Sequence, residues 1–246
     1  MNINTLSAGV VAASVLAFGQ QAVATPVTFT GSSGTLAASA TFSVTGNNLV
    51  VTLNNTSSAD VLNPSQVLTA LFFDLNGVGP LTPVSALLPL GSTVFFGPNG
   101  GGNVGGEWAY GSGLSGAPLG ATEGISSAGF GLFGGANFGG PDLAPPAAIN
   151  GLNYGITSAG DNTAVGNAAV TGGFPLIKNS VVFTLSGLPT GYELSVANLS
   201  FQYGTALTEP SYSPPGVPDG GSAAMLLGLA LSGLSVVVRR AHRLTA

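Results

Sequence analysis

The chain has 246 residues with 39 Gly, 16 Pro and no Cys, and it carries four Lys and Arg residues against nine acidic ones. A disulfide scaffold is impossible, and too few cations exist to neutralise a nucleic-acid backbone. His242 is the only imidazole, so a Ser-His-Asp triad or a Cys/His zinc site is excluded unless the last residues of the chain take part. We expect no cofactor, no nucleic-acid partner and no enzymatic activity.

The first 24 residues have the organisation of a secretory signal peptide. Residues 8–19 form an uncharged apolar stretch, and Ala22 and Ala24 supply the small side chains of a cleavage site. We therefore expect the export machinery to recognise this segment and signal peptidase to cut after Ala24. The alternative interpretation is a buried core helix.

The other end has the features of a membrane anchor. Residues 222–238 contain no charge, and as a helix they reach about 26 Å at about 1.5 Å per residue, slightly less than the roughly 30 Å hydrocarbon core of a bilayer. The basic tail, residues 239–246, carries a cytoplasmic stop formed by Arg239, Arg240 and Arg243. Cationic residues favour the cytoplasmic side, so we expect residues 25–208 to lie outside the cell.

A short motif stands directly before this span. A Pro-rich linker begins at Glu209 and ends in Val217-Pro218-Asp219-Gly220-Gly221. Pro218 fixes its own φ and favours an extended neighbour, whereas the two glycines have no side chain to obstruct a protease cleft. An ordinary loop ahead of a plain anchor is the alternative.

The motif, the span and the arginines together resemble the C-terminal sorting signal of the PEP-CTERM group of exosortase-dependent surface proteins, in the form that begins Val-Pro-Asp-Gly. The resemblance implies a Gram-negative cell and a membrane-embedded exosortase-type protease as partner. It also implies a precursor anchored in the inner membrane, then a product at the cell surface or outside the cell. The segments around Trp108 and Gly124 resemble one subfamily of these proteins, from which no activity carries over.

Residues 25–208 are expected to form one all-β domain, a β-sandwich of jelly-roll type. Apolar and polar residues alternate over 38–44 and again over 49–53, with a turn between them, which predicts a hairpin. Residues 67–75 are apolar on both faces, as in a central strand. Further strands are predicted at 93–96, 181–185 and 193–203, where Leu199, Phe201 and Tyr203 share a side.

The segment 97–140 is rich in glycine and has interspersed aromatic residues. In one interpretation it is a loop that presents Trp108 and Tyr110, with Glu107, to a sugar ring of an extracellular polysaccharide. In the other, 107–111 and 126–133 are strands whose aromatic side chains fill the core. The sequence 124–129 recurs with one substitution at 155–160, which suggests equivalent strands.

The acidic residues leave two chemical alternatives open. A glycoside hydrolase needs only two carboxylates, and the candidates are Asp60, Asp74, Glu107, Glu123, Asp142, Asp161, Glu193 and Glu209. Asp74-Leu75-Asn76-Gly77 has the opening spacing of a calcium loop, to which Asp161 and Asn162 could add oxygen ligands, but the remaining ligands and the distal Glu are absent, so the sequence favours a turn after a strand. The sequence favours a non-enzymatic surface or extracellular-matrix protein of the biofilm type, with a carbohydrate-binding module or adhesin as the alternative and a hydrolase as a more distant one.

Overall fold

The first three strands follow from alternating apolar and polar residues near the start of the body. In the computed structural model, which describes residues 25–134, 137–146 and 149–215, β1 (Val27–Ser33), β2 (Leu36–Thr45) and β3 (Asn48–Asn55) form an antiparallel meander. Thr45 lies opposite Asn48 across a two-residue turn, in which Gly46 has φ +60°, a conformation that favours glycine. The predicted hairpin is confirmed.

Ten further strands and five short helical turns complete the described part of the chain. The strands are β4 (Leu68–Leu75), β5 (Thr82–Leu87), β6 (Thr93–Phe95), β7 (Ala109–Ser112), β8 (Glu123–Ser126), β9 (Ile156–Thr157), β10 (Leu176–Lys178), β11 (Ser180–Ser186), β12 (Val196–Tyr203) and β13 (Ser211–Tyr212). The turns are Pro64–Gln66, Gly100–Gly102, Gly105–Glu107, Pro118–Gly120 and Ala169–Gly173.

The strands form two sheets. The five-stranded sheet has the order β1-β2-β3-β11-β5. The eight-stranded sheet has the order β13-β12-β4-β9-β10-β6, and β8 pairs with β4 on one side and with β7 on the other. Pairs are antiparallel except β9 with β10. The prediction of an all-β protein is confirmed for the described residues.

The main hydrophobic core lies between the two sheets. Phe42 on β2 meets Phe73 on β4 edge to face, with ring centroids 5.3 Å apart. Along β4 alternate side chains face opposite ways, so Leu71 and Phe73 join this core, whereas Phe72 packs under the glycine-rich segment on the outer face. Burial on both faces explains the uninterrupted apolar sequence of β4.

The repeated hexapeptide does mark equivalent strands. Ile125 on β8 lies opposite Leu71, and Ile156 on β9 lies opposite Leu68, both along the edge of β4 that β12 leaves free. The predicted strand over 126–133 is wrong beyond Ser126. The chain turns at Gly131, with φ +71°, and the turn allows the ring of Phe133 to pack against Phe72, with centroids 5.9 Å apart.

The described body ends with β13, inside the stretch that the sequence analysis assigned to the linker. β13 pairs with β12, and the hydroxyls of Tyr203 and Tyr212 are 2.8 Å apart. The predicted signal peptide, sorting motif, span and basic tail lie outside the described residues. Within 25–134, 137–146 and 149–215, no helix is long and apolar enough to cross a membrane.

Candidate functional site

The two aromatic residues singled out from the sequence lie in the core. Trp108 is fully buried and its ring packs against Phe183, with centroids 4.9 Å apart. Tyr110 is 3% exposed, and its hydroxyl accepts a hydrogen bond from the backbone N–H of Leu81 at 3.3 Å. Neither ring can stack on a sugar in this arrangement, because Tyr110 on β7 and Trp108 just before it both point into the main core. The prediction that Trp108 and Tyr110 contact a sugar is therefore wrong, since both side chains belong to the core.

Glu107 is the most enclosed carboxyl group of the glycine-rich segment. Its side chain is 1% exposed and accepts hydrogen bonds from the backbone N–H groups of Leu143 and, at 2.7 Å, Ala144. Burial raises the pKa of Glu107 to about 7, and the nearby Asp142 contributes in the same direction. The carboxyl group therefore fastens the turn that precedes β7 to the loop around residues 141–144.

Glycine makes this close approach possible. A Cβ on Gly106 would overlap the backbone of Pro141 and Asp142, and a Cβ on Gly105 would overlap the backbone of Gly139. The side-chain amide of Asn137 also donates to the carbonyl of Gly106. In this part of the chain glycine is required by packing between two backbone segments, which composition alone does not reveal.

Glu123 is the second buried carboxyl group. It lies on β8, is 5% exposed, and its Oε2 has no hydrogen-bond partner among the described residues. Burial raises the pKa of Glu123 to about 7, the negative charge of Asp74 adds to the increase, and the hydroxyl of Tyr110 partly offsets it. Burial, followed by the charge of Glu123, also raises the pKa of Tyr110.

Four other candidate acids accept hydrogen bonds from backbone N–H groups. Three of these bonds join residues far apart in sequence, and the fourth closes a local turn. Oδ1 of Asp74 accepts from the backbone N–H of Thr122 at 2.6 Å, and Oδ1 of Asp161 accepts from that of Val61 at 2.8 Å. The remaining two contacts are Asn162 N to Asp60 Oδ1 at 3.0 Å and Ala206 N to Glu209 Oε2 at 2.8 Å. With Glu107, five of the eight candidates thus hold the fold together.

The calcium interpretation of Asp74 has no geometric support. Its second oxygen accepts from the side-chain amide of Asn198 at 2.6 Å, and the hydroxyl of Thr122 adds a further bond at 2.8 Å. Protein donors thus occupy the oxygens that a cation needs. In the described part of the chain no group of three or more His, Asp or Glu residues could hold a metal ion.

A raised pKa is what a general acid requires, but a catalytic group must also reach its substrate. Glu107 and Glu123 are enclosed by the sheet and by the glycine-rich segment, so no substrate atom can contact either carboxyl group in this conformation. Burial of Glu107 therefore has a structural explanation, namely the fixing of one backbone segment to another, whereas Glu123 makes no such backbone contact among the described residues.

The sequence analysis did not identify the exposed polar edge that β1 forms. The outer edge of β1 has no ladder partner among the described residues, and the side chains of Thr28, Thr30 and Ser32 are exposed there. The signal was present in the sequence: residues 27–55 contain neither a charged residue nor a proline.

No protein-family model matches the chain, and no curated protein or solved structure gives a significant match. The other residues predicted for export and sorting, Ala22, Ala24, Val217, Pro218, Asp219, Gly220, Gly221, Arg239, Arg240 and Arg243, lie outside the described residues.

Proposed function

We propose that the protein is an exported, non-enzymatic surface or extracellular-matrix protein that is processed at a C-terminal sorting signal. The observation that carries this proposal is the order of features at the end of the chain. Val217-Pro218-Asp219-Gly220-Gly221 directly precedes an uncharged stretch of membrane-spanning length, and three arginines follow it. A signal peptide at the other end agrees with the same topology.

The chemistry of the body supports a role that does not involve catalysis. Five carboxylates are occupied by backbone N–H groups, and the two with a raised pKa are buried. Lys178, the only cation between residues 25 and 215, donates to the backbone carbonyl of Asp161 at 2.8 Å. A weakly charged surface rich in hydroxyl and amide groups suits hydration and contact with neutral polysaccharide.

In this proposal the two packed sheets are a β-sandwich of jelly-roll type that remains after both ends are removed. Signal peptidase releases the N-terminus at Thr25. An exosortase-type protease reads the motif and cuts near it, so the span and its arginines are left behind in the inner membrane. The mature protein then lies at the cell surface or in the surrounding matrix.

The test combines motif substitution with cell fractionation. The double variant Pro218→Ala and Asp219→Ala should accumulate as a precursor in the inner membrane, whereas the parent chain leaves the cell. The matched control, Ser213→Ala with Pro215→Ala, changes the same linker outside the motif and should be processed normally. Intact-mass measurement of the released protein should give an N-terminus at Thr25 and a C-terminus near the motif. Unchanged release of the motif variant would contradict the proposal.

A further inference from the structure

The long edge of the five-stranded sheet, formed by β1, has no strand on its outer side among residues 25–134, 137–146 and 149–215. The β1–β2 hairpin closes through a two-residue turn, with Ser33 opposite Leu36. The closing pair of such a hairpin is hydrogen-bonded, and hydrogen-bonded pairs alternate along an antiparallel ladder. The backbone N–H and C=O groups that face away from β2 are therefore those of Thr28, Thr30 and Ser32.

The other sheet edges in the described part of the chain are closed or short. On β5, the opposite edge of the same sheet, the carbonyls of Val84 and Ala86 accept hydrogen bonds from Gly139 at 3.2 Å and Val104 at 2.9 Å. The glycine-rich segment thus covers that edge. In the eight-stranded sheet the edge strands β13 and β6 have two and three residues, too few to template an extended partner. The third edge, the four-residue β7, is bridged at Ala109 by Asn137.

Within the residues that the structure describes, β1 has none of the usual features that prevent edge pairing. Natural edge strands carry charges, prolines or bulges, or are covered by another segment. β1 has seven residues in continuous register with β2, without a bulge, and the three strands β1, β2 and β3 have no charged side chain. No charged side chain on these three strands therefore opposes the approach of a second edge of the same kind.

We propose that β1 pairs antiparallel with β1 of a second copy of this chain. A two-fold axis through Thr30 places Thr30 opposite Thr30 and Thr28 opposite Ser32. Each outward N–H then meets an outward C=O, since the three outward residues are symmetric about Thr30. The interface is self-complementary, as two-fold symmetry requires, and threonine and serine side chains face each other as favourable cross-strand pairs. The two five-stranded sheets become one continuous sheet.

A second copy suits this edge better than the end of the same chain. The chain passes β1 near its described end, since a Cβ on Gly31 would lie 3.4 Å from Cα of Pro214. The following residues include Pro215 and Pro218, which have no N–H group to donate to a ladder. The pairing is a property of the body and does not rest on the proposed export.

Engineered cysteines test the pairing directly, because the full-length chain contains no Cys. In hydrogen-bonded antiparallel pairs the Cα atoms are about 5.5 Å apart, which a disulfide can span. Thr30→Cys in the full-length chain, solubilised in mild detergent and treated with a gentle oxidant, should form a covalent dimer on non-reducing gels. The control is Thr82→Cys, an exposed threonine on β5, the covered edge of the same sheet. It should remain monomeric.

A mixture of two variants tests the register. Thr28→Cys and Ser32→Cys chains should each remain monomeric alone, since copies of the same residue are roughly 13 Å apart along the paired strands at about 3.3 Å per residue. Mixed, they should form the heterodimer. Adding Thr30→Lys to both chains should abolish that heterodimer, because two like charges then face each other.

Three results would overturn the proposal. A monomeric Thr30→Cys chain shows that the edge is free or covered by its own chain. Equal dimerisation of Thr82→Cys shows that other segments, such as the apolar ends, bring the copies together. In the third result, Thr30→Cys forms a dimer but the mixture of Thr28→Cys and Ser32→Cys does not. The two copies then touch at Thr30 without the proposed two-fold register of the strands. Each result is independent of whether cells export or process the chain.

Discussion

Raising the pH through neutrality should destabilise this protein, because two buried carboxyl groups must then lose their protons in the folded state. Burial raises the pKa of Glu107 from 4.5 to about 7. The folded state therefore retains a proton that the unfolded state has lost. This contribution to stability is complete below about pH 4.5 and is lost as the pH rises through about 7.

The magnitude follows from the two pKa values. At about 1.4 kcal/mol for each pKa unit, the raised pKa of Glu107, to which Asp142 contributes, weakens the folded state by about 3 kcal/mol between acid and alkaline pH. Glu123, whose pKa is also raised to about 7, acts in the same direction. The titratable groups that face Glu107 are Asp142, which raises its pKa, and Tyr154, whose own pKa is raised mainly by burial.

Glu107→Gln isolates the effect of this carboxyl group. The amide keeps an oxygen to accept from the N–H groups of Leu143 and Ala144 but carries no charge at any pH. At about pH 8.5 the variant should be more stable than the parent by about 3 kcal/mol, and at about pH 5 the difference should be only about 1 kcal/mol. Glu193→Gln, which changes an exposed carboxylate, is the control and should follow the parent at every pH.

Urea unfolding provides the assay. Trp108 is the only tryptophan and is buried, so its emission should shift to longer wavelength when the core opens, and far-UV circular dichroism gives an independent signal. The reasoning is refuted if the free energies of unfolding of the parent and Glu107→Gln change in parallel between pH 5 and 8.5. In that case the carboxyl group is not desolvated by the loop that covers it.

Two further predictions follow from the packing. Gly106→Ala should lower the free energy of unfolding by about 2 kcal/mol, as overpacking does, because its Cβ overlaps the backbone of Pro141. The control is Gly79→Ala, whose added Cβ meets no atom within 4 Å and should change the free energy of unfolding little. Equal urea midpoints for the two variants would contradict the close packing at Gly106. Absorbance titration should detect clearly less tyrosinate in the folded protein at about pH 10 than in the urea-unfolded chain, which is half ionised there. Half ionisation of the folded protein at that pH would refute the burial. The pKa is raised, mainly by burial, for all five tyrosines: Tyr110, Tyr154, Tyr192, Tyr203 and Tyr212.

Strand prediction succeeded where the determining contacts are local or periodic. The hairpin at Gly46 depends on a two-residue turn between two segments in which apolar and polar residues alternate. The strand β4 depends on a continuous series of apolar residues, which require burial on both faces of the strand. It failed over 126–133 because glycine and phenylalanine there form a turn that covers Phe72. The same composition is compatible with a strand and with a loop.

The candidate site could be predicted only in part, since its geometry comes from residues far apart in sequence. The carboxylate of Glu107 meets N–H groups 36 and 37 positions away, and Asp161 caps a residue 100 positions away. No local pattern identifies such partners. The sequence left open whether Trp108 and Tyr110 bind a ligand or fill the core, and only the pairing of β7 with β8 decided this.

By itself, the sequence determined an all-β body with few charges and no cysteine, because side-chain alternation and composition are properties of neighbouring residues. It also contains the two terminal segments on which the prediction of export and sorting rests. Tertiary structure alone decided which acids are buried, which glycines must lack a side chain, and which sheet edge remains open. These features depend on how the two sheets pack and where the glycine-rich segment lies against them: it covers β5, whereas β1 has no outer partner in the described part of the chain.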